Sequence, residues 1–127
     1  MLGDYEEATQ RIRSVRSAAE QAREQLVVLW STSYLAGALL SQPDPPEAAI
    51  AEARQLADEL LRRASLPRLM RGLLSAHWAH AERRHGSPQQ ALVRARESVE
   101  LLRRTPAYLN HAYRELLACL LAQQELA

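Results

Sequence analysis

Three six-residue stretches decide how this chain folds: Gly3-Asp4-Tyr5-Glu6-Glu7-Ala8, Asp44-Pro45-Pro46-Glu47-Ala48-Ala49 and Gly86-Ser87-Pro88-Gln89-Gln90-Ala91. Each sets turn-forming residues before acids or amides and then alanine, which is the chemistry of a helix start. The three alanines are 41 and 42 residues apart, and four residues after each lie Ile12, Ala53 and Ala95. Twelve residues before the second and third alanines lie the small residues Gly37 and Ala79. In a chain whose apolar residues recur every three to four positions, a period of this length means stacked helical hairpins. Bulky replacements at Ala49 or Ala91 are therefore expected to overpack a hairpin.

Outward from these starts the whole chain reads as helix. A first helix is expected from Asp4, with Asp4 and Glu7 as a capping box and Tyr5, Ala8, Ile12, Val15, Ala19, Ala22 and Leu26 as its apolar face. The same pattern runs on through Trp30 and Tyr34 to Leu40. One helix of that length is improbable, so a break is placed between Gln21 and Gln25, although neither glycine nor proline marks it. A third helix begins in Pro45-Pro46-Glu47 and ends at Ser65-Leu66-Pro67. A fourth carries Leu69, Leu73, Leu74, Trp78 and Ala81 and stops at His85-Gly86. A fifth starts at Ser87-Pro88 and stops before Pro106, and the last carries Leu109, Tyr113, Leu116, Leu117, Leu120 and Leu121. Gly37 and Gly72 fall inside helical patterns and require a packing reason. β-Branched residues are too sparse for a sheet.

Composition narrows the class. The 127 residues are 47% hydrophobic and 24% charged, which suits one folded domain and excludes a disordered chain. No run approaches the ~20 apolar residues of a membrane span, and the acidic N-terminal stretch is not a signal peptide, so a cytoplasmic protein is expected. Cys119 is the sole cysteine, which rules out an intramolecular disulfide and a cysteine-based zinc site. Every basic residue is arginine and phenylalanine is absent, which suggests a GC-rich, bacterial source. The net charge is +1, but residues 1–64 carry −3 and residues 65–127 carry +4. Such an imbalance reflects either solvated helix faces or a second half that steers a charged partner.

The repeated starts resemble the tetratricopeptide (TPR) repeat, whose turn and second helix read G-D/N-Y-x-E-A, as Gly3-Asp4-Tyr5-Glu6-Glu7-Ala8 does. That family repeats at roughly 34 residues; the period here is about 42. Asp44 stands where the family prefers glycine, and Leu121 falls where Gly37 and Ala79 are small. The longer period is similar to the arrays in bacterial regulators of the maltose-activator (MalT) type. The resemblance implies an all-α, right-handed superhelix of about six helices in antiparallel hairpins, forming one domain over residues 1–127. The expected division is a half repeat at 1–23, repeats at 24–65 and 66–106, and a half repeat at 107–127. That phase, with an apolar last helix, suggests either a piece of a longer array or a self-associating chain, unless the end helices tuck in as caps. By register, the resemblance implies a partner-binding groove lined by Ser31, Tyr34, Ala38 and Gln42, by Leu73, Ala76, His80 and Arg83, and by Glu115, Ala118 and Ala122. The lysine and asparagine clamp with which some TPR domains hold a C-terminal carboxylate has no counterpart at Tyr34, Ala38 or His80. An apolar helix or extended peptide fits such a groove better.

Other chemistry is thinly represented. His77, His80 and His85 have a spacing at which two imidazoles can share a metal, but no third ligand is well placed, and no metal site or cofactor is expected. There is no phosphate-binding glycine loop and no nucleophile elbow. Glu6-Glu7 and Asp58-Glu59 do not converge as an acid–base pair, so no catalytic residue is expected. Glu82, Arg83 and Arg84 read as a solvated helix end. Arg83-Arg84 and Arg103-Arg104 suit the negative end of a helix dipole or, alternatively, contact a small anion or acidic peptide. Trp30 and Trp78 are expected to anchor the hairpin cores, or else to line a groove, and Cys119 to be a small buried hydrophobe. The function these features imply is a non-catalytic protein-interaction or effector-sensing module of a bacterial signalling or transcriptional regulator. The alternatives are a free-standing adaptor for an apolar helix or peptide, including a second copy of the chain, and a small-molecule pocket around Tyr34, Trp78 and His80. Neither a membrane nor direct nucleic-acid contact is expected.

Overall fold

The computed structural model describes residues 2–63 and 65–126, with side chains from 4 to 63 and from 65 to 124. Ala127, the last residue of the expected final half repeat, lies outside the described residues. The chain is all-α, with six helices: α1 (Leu2–Ala22), α2 (Gln25–Leu40), α3 (Glu47–Leu61), α4 (Arg68–His85), α5 (Pro88–Leu102) and α6 (Pro106–Leu126). It divides into two compact units, Met1–Leu66 and Pro67–Ala127.

In the first unit α2 packs on both α1 and α3. Its sequence, QLVVLWSTSYLAGALL, carries no charge; its second half is largely buried between its neighbours, while Leu26, Val27 and Tyr34 stay exposed. Leu35, Ala36, Leu39 and Leu40 of α2 and Ala53, Leu56, Ala57 and Leu60 of α3 are buried. The hydroxyls of Ser31 and Thr32 donate to the carbonyls of Val27 and Val28 at 2.7 Å, so burying them leaves no donor unsatisfied. A bidentate ion pair ties α1 to α3: Arg13 Nη1 and Nη2 reach Glu52 at 2.7 and 2.6 Å. That hydrogen bonding, working against partial burial, holds the Glu52 carboxyl below its usual range.

The break between α1 and α2 is made without glycine. Arg23 adopts a left-handed φ of 59°. The amide of Glu24 donates to Ala19 O at 2.9 Å and that of Arg23 to Glu20 O at 3.2 Å. This is the Schellman arrangement, which satisfies two terminal carbonyls at the cost of one residue in the left-handed region. At the other end, α1 already begins at Leu2. Asp4 therefore lies inside the first turn rather than capping it, where its charge still suits the positive end of the dipole.

In the second unit α4, α5 and α6 pack pairwise on one another. Ala79, Ala91, Ala95 and Cys119 form a buried cluster with Leu92 and Leu116 against it. Gly72 has its packing reason here: a Cβ on it would lie 2.6 Å from Leu102 Cγ and 3.2 Å from Leu101 Cβ. Ser87 caps α5, its hydroxyl accepting the Gln90 amide at 3.3 Å, and Pro88 occupies the first turn. The alanines of the expected repeat are unevenly buried. Ala53, Ala91 and Ala95 are buried, but Ala49 is half-buried and Ala8 is exposed. The intolerance expected at Ala49 therefore belongs to Ala91.

Candidate functional site

The groove residues expected from the register separate into two settings. In the first unit Ser31 and Tyr34 reach the seam between α1 and α2. With Arg11, Ile12, Val15 and Val27 they line an apolar hollow of about 230 Å³. Tyr34 is 60% exposed there and stacks on Trp30 with ring centroids 5.8 Å apart. Trp30 is half-buried rather than a fully buried core anchor, whereas Trp78 of α4 is buried. Gln42 lines a second hollow, of about 380 Å³, with Glu6, Thr9, Gln10, Leu39 and Pro46. Ala38 is half-buried. Ser31 is buried, its hydroxyl spent on Val27 O, so it supplies no open groove contact.

In the second unit the register places His80, Arg83 and Glu115 together, but facing one another across the seam of α4 and α6. Arg83 Nε donates to Glu115 Oε1 at 2.7 Å. His80 Nδ1 lies 3.3 Å from Glu115 Oε2 and 3.2 Å from Arg83 Nη2. One ring nitrogen serves one of these contacts, donating to the carboxylate when it carries the proton and accepting from the guanidinium when it does not. Burial opposes ionisation of Glu115, yet the hydrogen bonds from His80 and Arg83 prevail and hold its carboxyl down to about 2. Cys119, one turn on, is buried with its thiol 3.9 Å from Glu115 Oε1. Burial first, and the Glu115 charge second, push that thiol up to about 11, far from a reactive thiolate. Ala76 is wholly buried and Glu115 nearly so, which removes both from an open groove. Leu73, Ala118 and Ala122 are half-buried.

The solvated end expected at Glu82-Arg83 is corrected in the same way. Glu82 is buried and accepts the Ser87 amide at 2.9 Å, tying the end of α4 to the start of α5. The three histidines diverge. The His77 ring sits 5.8 Å from that of His111, His80 turns to Glu115, and His85 is exposed at the helix end. Among the described residues, no group of three or more His, Cys, Asp or Glu side chains is placed to hold a metal ion. Burial lowers His77 to about 4, with smaller contributions from His111 and His80.

Four large apolar side chains stand exposed on α6. Tyr113 is 50%, Leu117 59%, Leu120 40% and Leu121 51% exposed. Their spacing of four, seven and eight residues puts them on one helical face. The opposite face, with Ala112, Glu115 and Cys119, is buried. No helix among the described residues is long and apolar enough to cross a membrane. Comparison with protein-family models, with curated proteins and with solved structures finds no match to this chain.

Proposed function

We propose that this chain is a non-catalytic helical-repeat module that binds a protein partner through the outer face of α6, within a cytoplasmic bacterial regulator of signalling or transcription. The observation that carries this reading is the stripe of Tyr113, Leu117, Leu120 and Leu121, all at least 40% exposed on a helix whose other face is packed. Scattered exposed leucines are ordinary; four large apolar side chains on one face mark a contact surface. An amphipathic partner helix laid along α6 would bury them with spacing matched to its own turns. The TPR-like reading draws support from the packing order inside each unit. The helix taken as the first of a hairpin meets its partner helix, and α6 meets both α4 and α5.

The test is a binding comparison between the full chain and its Leu117→Asp/Leu121→Asp variant, with circular dichroism to confirm that both are folded. The wild type should retain a protein from the source cells, or a second copy of itself in sedimentation equilibrium, that the variant releases. Identical binding and association by the two proteins would defeat the reading.

A further inference from the structure

At one end of the second unit lies a cleft of about 610 Å³ formed by the start of α4 and the α5–α6 turn. Arg68, Arg103 and Arg104 stand around it, with Thr105 at the rim and Glu100 as the one carboxylate. Half-buried Leu69 and Leu101 give it an apolar wall. Arg68 is held in place by its own hydrogen bond, Nη2 to the Glu100 carbonyl at 2.9 Å. Arg103 meets the Glu100 carboxylate only at 3.4 Å, and both side chains are 66% exposed. So open a pair contributes little and yields readily to a better acceptor. Arg104 has no hydrogen bond or ion pair among the described residues.

Three guanidiniums with one loosely held carboxylate leave an uncompensated positive charge in a concave site. α4 and α6 begin beside the cleft, at Arg68 and Pro106, but α5 ends there at Leu102 with its negative end, so the positive character of the cleft rests on the three guanidiniums. We infer that this cleft binds a small phosphorylated ligand, its phosphate held by Arg103 and Arg104 with Arg68 behind them and its organic part against Leu69 and Leu101. The guanidinium fork matches tetrahedral phosphate oxygens two at a time, and a dianion gains more from three arginines than a monocarboxylate does. The cleft volume is in the range of small-molecule sites. The inference does not rest on the partner-binding reading of α6.

The experiment is isothermal titration calorimetry of the full chain with phenyl phosphate and with benzoate at low ionic strength. The two probes share a ring and differ in the charged head. Phenyl phosphate should bind, and benzoate at least about tenfold more weakly. Arg104→Glu should weaken phenyl phosphate by at least about tenfold, whereas Arg96→Glu, the same charge change on the exposed side of α5, should leave it within about twofold. Circular dichroism of both variants checks the fold. No heat with phenyl phosphate, equal binding of benzoate, or equal losses in the two variants would each overturn the assignment.

Discussion

Arg83 and Glu115, 32 positions apart in the chain, meet across the seam of α4 and α6 with Nε donating to Oε1 at 2.7 Å. The carboxylate side chain is 9% exposed and the guanidinium 26%. Breaking such a pair strands a desolvated charge, which costs more than the pair itself contributes. Glu115→Gln should therefore destabilise the protein by about 2–3 kcal/mol in urea titration. Converting Arg83 and Glu115 together to methionine should cost clearly less than the single change. The Glu115 contribution is present above its unfolded pKa of 4.5 and is lost as pH falls through about 2.

A separate acid sensitivity belongs to His77. Its folded value of about 4 lies below the ordinary 6.5. The unfolded chain therefore binds more protons between those values, and stability falls as pH drops from about 6.5 to about 4. The loss should approach about 3 kcal/mol. His77→Leu should flatten the dependence in that window. A thermal-melt series in which wild type and variant lose stability in parallel would count against this assignment.

Gly72 is covered by the side chain of Leu102, itself wholly buried. Gly72→Ala gains helix propensity, but it forces Leu102 aside in a packed core. The overpacking should win, for a net loss of about 1–2 kcal/mol. Gly72→Ala/Leu102→Val should recover part of that loss, because the smaller side chain makes room.

Arg23 offers the opposite opportunity. Its φ of 59° is one that glycine adopts without steric cost. Arg23→Gly should stabilise the protein by about 0.5–1 kcal/mol, the relief of left-handed strain less the added chain entropy. Arg23→Val should be worse than wild type, since branching at Cβ aggravates the same clash.

Ser75 is wholly buried in α4, and its Oγ has no hydrogen-bond partner among the described residues. Removing an unsatisfied buried hydroxyl removes a desolvation penalty. Ser75→Ala should leave the melting temperature unchanged or raise it, by up to about 1 kcal/mol in stability. A clear fall would mean that the hydroxyl is satisfied in solution.

The sequence by itself determined the all-α class, the number of helices and most of their starts, while α3 and α5 end earlier than expected, at Leu61 rather than Ser65-Leu66-Pro67 and at Leu102 rather than just before Pro106. The class and the starts depend on local chemistry: Pro46, Pro88 and Pro106 sit at or beside helix starts, Ser87 caps α5, and apolar residues recur every three to four positions. The resemblance to TPR repeats implied that His80, Arg83 and Glu115 share one groove. Only the tertiary structure decided that those residues close on each other as an ion-paired seam, since the depth to which a face is buried depends on neighbours far along the chain. Arg23 shows the same limit at the backbone level: nothing in its side chain announces a left-handed residue, and the Schellman turn there follows from how α1 and α2 must pack. Gly72 was legible as an anomaly and explicable only once Leu102, thirty residues on, was seen to cover it. The arginine cleft has the same origin. Arg103-Arg104 is visible in sequence, but Arg68 joins it only because α4 starts where α5 ends.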